Sequence, residues 1–301
     1  MISFFSGAGL LLTAAIWGFA FVIVKDSLDY IGPTWMVAFR FTIAAIAMSL
    51  IFLPKFKEMN LKTLKCGAIT GAMLFGGYLT QTIGCNYTTA GKNAFFTTIY
   101  VILIPLICWP LYKKRPKWHV WVAAVMSVTG LGILALGSED KGINIGDIWT
   151  LACGFFYAIH IIWTNKYNNE GVSTILLSVL QFAFAGVFGW ILAPFLDGAF
   201  PVSAFTASNA SASAVGGLTG TAAIIVSMLY LGLFSSALAF SLQNVGLKYV
   251  NPSLASLFLG FESVFGILFS TLFLHEAFTL KMLFGCALIF GAVLLAELKE
   301  E

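Results

Sequence analysis

Long apolar runs of about twenty residues, broken by short stretches that hold most of the lysines, dominate the chain. At 1.5 Å rise per residue, a helix of about twenty residues crosses a ~30 Å hydrocarbon core. Ten such runs are predicted, at 6–24, 33–53, 66–85, 92–112, 119–137, 146–164, 173–195, 222–246, 252–274 and 280–297. Gly32-Pro33, Pro54 to Lys65, Lys113 to Lys117, Gly137 to Gly142 and Pro252 mark breaks between them. The first run lacks a basic leader and continues to full spanning length, so it reads as a retained helix rather than a signal peptide. The segment 196–221, rich in Ala, Ser, Gly and Thr, reads as a surface loop or a fraying helix end.

One carboxylate interrupts the ninth run. Pro252 suits a first helical turn, and Glu262 follows it by about 15 Å of helix, close to the expected midplane. A charge at that depth costs at least about 2.5–3.5 kcal/mol, so Glu262 is expected to face protein or a watery cavity rather than lipid. Ser256, Ser263 and Gly266 lie on or beside the same face and keep it small and polar. The alternative is a protonated, hydrogen-bonded structural Glu.

The chain also repeats itself. Gln81-x-x-Gly84-x-x-Tyr87 recurs as Gln243-x-x-Gly246-x-x-Tyr249, a register of 162 residues. That register sets Phe96 against Phe258 and Tyr100 against Glu262, and a one-residue slip sets Gly130 against Gly291. Five spans per unit is an odd number, so the second copy must be inverted relative to the first. The expected fold is an all-α polytopic membrane protein with ten transmembrane helices in two inverted five-helix repeats, 1–140 (helices 1 to 5) and 141–301 (helices 6 to 10). Inverted repeats place solutes near the midplane where the copies meet.

Composition agrees with this class: 59% hydrophobic residues, 10% charged residues and a mean hydropathy of +0.94 exclude an ordinary soluble domain. The net charge of +3 is spread over short loops, which speaks for orientation and against nucleic-acid binding. With a cytoplasmic N-terminus, eleven of the sixteen Lys and Arg fall on inner segments, including Lys57, Lys114, Lys166 and Lys299. Lys25, Lys92, Lys141 and Lys281 fall outside, which predicts both termini in the cytoplasm. Cys66, Cys85, Cys108, Cys153 and Cys286 are scattered without a C-x-x-C pair and read as inert thiols, so no metal or cofactor is expected.

Two five-span copies, Trp17-Gly18 in the first helix, Arg40-Phe41 in the second, and the late Phe261 to Val264 (FESV) and Leu274 to Ala277 (LHEA) together resemble the EamA branch of the drug/metabolite transporter superfamily. The resemblance covers essentially the whole chain, although each motif is short. It implies a ten-helix secondary transporter of a bacterial plasma membrane, with a central cavity lined largely by helices 3, 4, 8 and 9, and often an exporter of amino acids or other small metabolites. The family commonly has an acidic residue before the fifth helix, matching Glu276 before the tenth. This chain has Lys114-Arg115-Pro116 there, a departure from symmetry between the two loops.

Further polar residues inside the runs are candidate substrate contacts. Arg40, about 10 Å below the outer boundary, either snorkels outward or points into a cavity. Lys92, opening the fourth run, reads as an interfacial anchor or as a partner for a substrate carboxylate at the cavity mouth. His160 reads as a packing histidine or as part of a proton path. Tyr78, Gln81, Tyr100, Gln243 and Asn244 offer neutral donors and acceptors, and Trp17, Phe96 and Phe258 an apolar wall. Gly67-x-x-x-Gly71 reads as packing within a monomer, while Ala287 and Gly291 in the tenth run suit a scaffold or subunit contact, hence a monomer or weak homo-oligomer.

No catalytic constellation is expected. Gly91-Lys92-Asn93 lacks both the upstream glycine and the hydroxyl residue of a phosphate loop, and His275-Glu276 lacks the second histidine of H-E-x-x-H. The expected partners are therefore a small solute, the bilayer and a coupling proton or other ion. The rival class is a non-transporting membrane protein, such as a lipid-handling enzyme or an assembly factor.

Overall fold

The structure, a computed structural model, describes residues 2–113, 115–136, 144–206, 220–275 and 279–297. Among them every regular element is helical. The first half comprises α1 (Ile2–Ser27), α2 (Pro33–Ile51), α3 (Leu61–Tyr87), α4 (Ala90–Thr97), α5 (Tyr100–Tyr112) and α6 (Trp118–Leu136). The second comprises α7 (Ile145–Asn169), α8 (Thr174–Leu196), the short α9 (Val202–Thr206), α10 (Gly220–Leu229), a π-helical stretch (Tyr230–Leu238), α11 (Ala239–Tyr249), α12 (Pro252–Leu259), α13 (Glu262–Phe273) and α14 (Leu280–Glu297). Lys114, Lys141, Ser208, Glu276 and Lys299, and the predicted boundary between residues 140 and 141, lie outside the described residues.

Seven helical stretches among the described residues are long and apolar enough to cross a membrane: Ser6–Ser27, Pro33–Ile51, Ala90–Tyr112, Ile145–Asn169, Thr174–Leu196, Thr221–Tyr249 and Pro252–Phe273. Polarity is inside out, as a bilayer demands. Leu50, Phe195 and Leu280 are exposed, whereas Arg40, Asn93, Gln181, Asn244 and Glu262 are buried.

Two of the expected spans are locally broken. Between α4 and α5 the N–H groups of Thr98 and Ile99 bond to Phe95 and Phe96, three residues back, instead of four. Between α12 and α13, the Phe261 N–H bonds to Phe258 and that of Ser263 to Gly260 in the same way. Ile99, Gly260 and Phe261 keep right-handed helical torsions and Thr98 lies just outside them (φ −77°, ψ 6°), but the tightening rotates the next helix relative to the one before it and frees carbonyls from the regular ladder. Glu262 is therefore the first residue of α13 rather than the middle of one continuous helix.

Helix packing is close wherever glycine permits it. A methyl group on Gly18 of α1 would lie 2.7 Å from the backbone N of Gly266 in α13, so the two backbones touch. Gly71 of α3 likewise abuts the carbonyl of Gln181 in α8, which places the Gly67 and Gly71 stripe inside the monomer. α6 packs along α14, and Gly130 there would meet the Gly285 carbonyl at 2.6 Å. α2 packs along α8, whose C-terminal Asp197 accepts from the backbone N–H groups of Thr34 (2.6 Å) and Trp35 (2.9 Å) and from the Thr34 hydroxyl (3.0 Å). Helix α2 begins with Pro33 and has no N-cap side chain of its own, so its orphan donors are satisfied by another helix.

Candidate functional site

A partly open cavity, with about 520 Å³ of unfilled space when the adjoining open solvent is included, lies where α1, α2, α3, α4, α5, α7, the π-helical stretch, α11 and α13 converge. Both tight turns open onto it. Tyr100 begins α5 and Glu262 begins α13, and the Tyr100 hydroxyl donates to the Glu262 carboxylate at 2.9 Å, with both side chains buried. The 162-residue register read from the sequence thus joins two residues in direct contact. The small residues beside Glu262 serve other ends: Ser263 donates to the Ala94 carbonyl (2.9 Å), Ser256 bonds within α12, and Gly266 lets α1 approach.

Arg40 occupies the opposite polarity in the same cavity and does not snorkel; it is 1% exposed. Its Nε donates to Ser236 (3.1 Å) and its Nη2 to Ser235 (2.8 Å), and the guanidinium lies 4.2 Å from the Tyr78 ring centre. The π-helical stretch explains how adjacent serines serve one guanidinium. Its wider turn brings Ser235 and Ser236 together, and the Ala239 N–H bonds to the carbonyls of Phe234 and Ser236, bypassing Ser235. The bypassed carbonyl accepts instead from the Trp17 indole N–H at 2.8 Å. Trp17, Tyr78 and His160 surround Phe240, with ring centres 4.8, 5.8 and 5.8 Å from its own.

A third group of polar side chains descends from α3 and α4. Gln81 donates to Thr97 (3.1 Å) and accepts from the Tyr157 hydroxyl (3.2 Å), while Asn93 donates to the Gln81 carbonyl (3.0 Å) and to Thr150 (2.8 Å). His160 pairs through Nε2 with Gln181 at 3.0 Å. The Nδ1 atom of His160, Oδ1 of Asn93 and Oε1 of Gln243 line or adjoin this cavity, buried and without a hydrogen-bond partner among the described residues. Buried acceptors of this kind are seldom left unmatched, and a solute or water carrying N–H or O–H groups would satisfy them.

Of the twelve candidate contacts, eight line the cavity: Trp17, Arg40, Tyr78, Gln81, Tyr100, His160, Gln243 and Glu262. The other four do not. Phe96 is half-buried and packs on Phe95 at 4.6 Å, because Asn93, Thr97 and Tyr100 occupy the inward stripe of that helix and leave Phe96 beside it. Phe258 packs over Gly7 of α1. Asn244 turns one helical step away from Gln243 and donates to Ser178 at 2.7 Å. Lys92 is buried outside the cavity, 4% exposed, with its ammonium 3.9 Å from Asp147.

Several cavity residues escaped the sequence reading. Tyr157, Ser235 and Phe240 sit within apolar runs without a distinguishing motif, and Asn93 is visible in the sequence only as the neighbour of Lys92. None of the five cysteines forms a disulfide, and no group of three or more metal-ligating side chains occurs among the described residues.

A helical membrane protein with a central cavity lined by ionisable, polar and aromatic side chains is the class these features define. The chain belongs to the EamA-like transporter family, which matches it over residues 5–136 and 144–298. It is 32% identical over 295 residues to an uncharacterized transporter of Archaeoglobus fulgidus, covering 98% of this chain and 86% of that one. It is 23% identical over 291 residues to the uncharacterized transporter YvbV of Bacillus subtilis, covering 95% and 89%. A chloroplastic WAT1-related protein of Arabidopsis thaliana is 22% identical over 299 residues, covering 94% and 67%. A crystal structure with 17% identity shares the fold, with a TM-score of 0.68 over 95% of this chain and 96% of that one.

Proposed function

We propose that this transporter is a secondary active carrier of small metabolites, an exporter of amino acids or related solutes that works by alternating access. The observation that carries the reading is the cavity in which Glu262 and Tyr100 meet at two helix breaks while Arg40 supplies a positive charge on another wall. A guanidinium and an ionisable carboxyl in a cavity also lined by aromatic rings suit a solute that is itself dipolar and partly apolar, and the unmatched acceptors suit one that brings N–H or O–H donors. Glu262 would then exchange a coupling proton, or pair with a cationic group of the solute, as the cavity changes sides. The eight lining candidates are proposed as substrate contacts, and no prosthetic group is invoked.

The same reading takes α3, α6 and α14 as spans in addition to the seven long apolar stretches, giving ten in two inverted repeats. Support comes from the matched tight turns, from the Tyr100 and Glu262 contact, and from glycines one register apart, Gly84 against α7 and Gly246 against α1. The two stretches matched by the family fall on either side of residues 137–143. Both termini are placed in the cytoplasm of a bacterial cell, with the protein in its plasma membrane. Counterflow in proteoliposomes tests the function. Vesicles preloaded with the correct unlabelled solute should accumulate the radiolabelled form; no accumulation across a broad metabolite panel, which a lipid-handling enzyme would give, contradicts it.

A further inference from the structure

We propose that Lys92, Asp147 and Thr88 form the latch of a gate at the cavity end where α3 stops and α7 starts, and that this gate is held by charge whereas its counterpart is held by aliphatic contact. The role as a gate rests on the proposed transport function; the latch itself rests on geometry.

Three layers close this end. Nearest the cavity, Asn93 ties α4 to the Gln81 carbonyl of α3 and to Thr150 of α7. Next, the backbones of α3 and α7 touch. A methyl group on Gly84 would lie 2.8 Å from the Gly146 carbonyl, and one on Gly146 would lie 2.6 Å from that of Gly84. Beyond them sits Asp147, fully buried, whose Oδ1 accepts from the Thr88 hydroxyl at 2.8 Å and whose Oδ2 accepts from the Asn144 N–H at 3.0 Å. The Lys92 ammonium stands 3.9 Å from Oδ2, and its side chain is 5% exposed. Lys25, at the end of α1, donates to the carbonyls of Cys85 (2.9 Å) and Thr88 (2.8 Å). Four helix ends are thereby fastened around one carboxylate.

The other end is built differently. One register on, Gly246 replaces Gly84, Val250 replaces Thr88 and Leu254 replaces Lys92. Gly246 is covered by Leu10, and Val250 and Leu254 are buried. The buried polar ties there are neutral: Asn165 donates to the Leu247 carbonyl at 2.6 Å and Asn168 to that of Asn244 at 3.0 Å, while the Lys62 and Glu170 ion pair (3.4 Å) at that end of α7 is exposed and keeps its water. Closing the first gate strips water from two ions, and opening it restores that water, so the latch can release without leaving a buried charge unpaired. No such exchange accompanies the second gate, so removal of one charge should loosen a single end.

Hydrogen exchange on the full-length protein in lipid nanodiscs tests this without a known solute. Lys92→Gln removes the charge and leaves Asp147 its bonds to Thr88 and Asn144. Amides in 84–93 and 144–150 should exchange at least about five-fold faster, those in 246–255 should not change, and Lys92→Arg should match the original protein. Equal rates at the latch, or acceleration at both ends alike, overturn the proposal. If Lys92→Gln does not fold, Thr88→Val decides by the same comparison of ends, with a smaller acceleration expected. A latch that responds in a protein showing no counterflow would refute the transport reading and leave the latch standing.

Discussion

Arg40 and Glu262 are costly residues to bury, since a lone charge carries a penalty of several kcal/mol unless its surroundings compensate. Arg40 is compensated by neutral dipoles and a ring: two serine hydroxyls, the face of Tyr78 and a more distant Phe41. A desolvated cation over an aromatic face gains about 2 kcal/mol, which makes Tyr78 a supporting residue as much as a cavity wall. Tyr78→Leu should therefore lower the melting temperature by several degrees, and Tyr78→Phe, which keeps the ring, by much less. Differential scanning fluorimetry of the two variants checks this. Arg40→Lys keeps a charge but cannot bond Ser235 and Ser236 through a planar fork, so counterflow should fall at least about ten-fold while the protein still folds.

The elements show why some of this was legible in the sequence and some was not. Span positions follow from transfer of about twenty apolar residues into hydrocarbon, and the ends of the Thr174–Leu196 and Pro252–Phe273 stretches, for example, lie within a residue or so of the predicted ones. Loss of a helix step is a subtler event. The tight turns at Thr98 and Gly260 preserve the apolar pattern, so nothing in composition announced that Tyr100 and Glu262 begin new helices. The π-helical stretch is hidden for the same reason, and with it the pairing of Ser235 and Ser236 on Arg40. Asp147 was missed because its position in the first turn of α7 has an ordinary meaning, half of a capping box with Asn144, which does not reveal that Lys92 and Thr88 share it. Asp197 was missed because a cap supplied by a distant helix leaves no local signature. Asp197→Ala removes three hydrogen bonds at the start of α2 and should cost about 1–2 kcal/mol, seen as a lower melting temperature that Asp197→Asn partly restores.

At the scale of the whole molecule, the repeat, the charge distribution and the internal cavity bear on one account, in which a solute reaches the centre from either side of the bilayer. The eleven-to-four division of Lys and Arg between inner and outer segments, with Arg40 inside a span, predicts sidedness. Cysteines introduced singly at Ser208 and Lys114, both outside the described residues, should differ in intact cells: an impermeant maleimide should label Ser208→Cys and not Lys114→Cys, and the reverse pattern would undo the inverted topology. The central claim is that Glu262 takes part in translocation rather than only in packing. Glu262→Gln preserves shape and can still accept from Tyr100 while removing the ionisable proton. Counterflow by Glu262→Gln in proteoliposomes, measured across pH beside its elution profile and melting temperature, tests this most directly. The account predicts a folded protein whose transport is strongly reduced or no longer depends on pH; unchanged transport with an unchanged pH profile would contradict it.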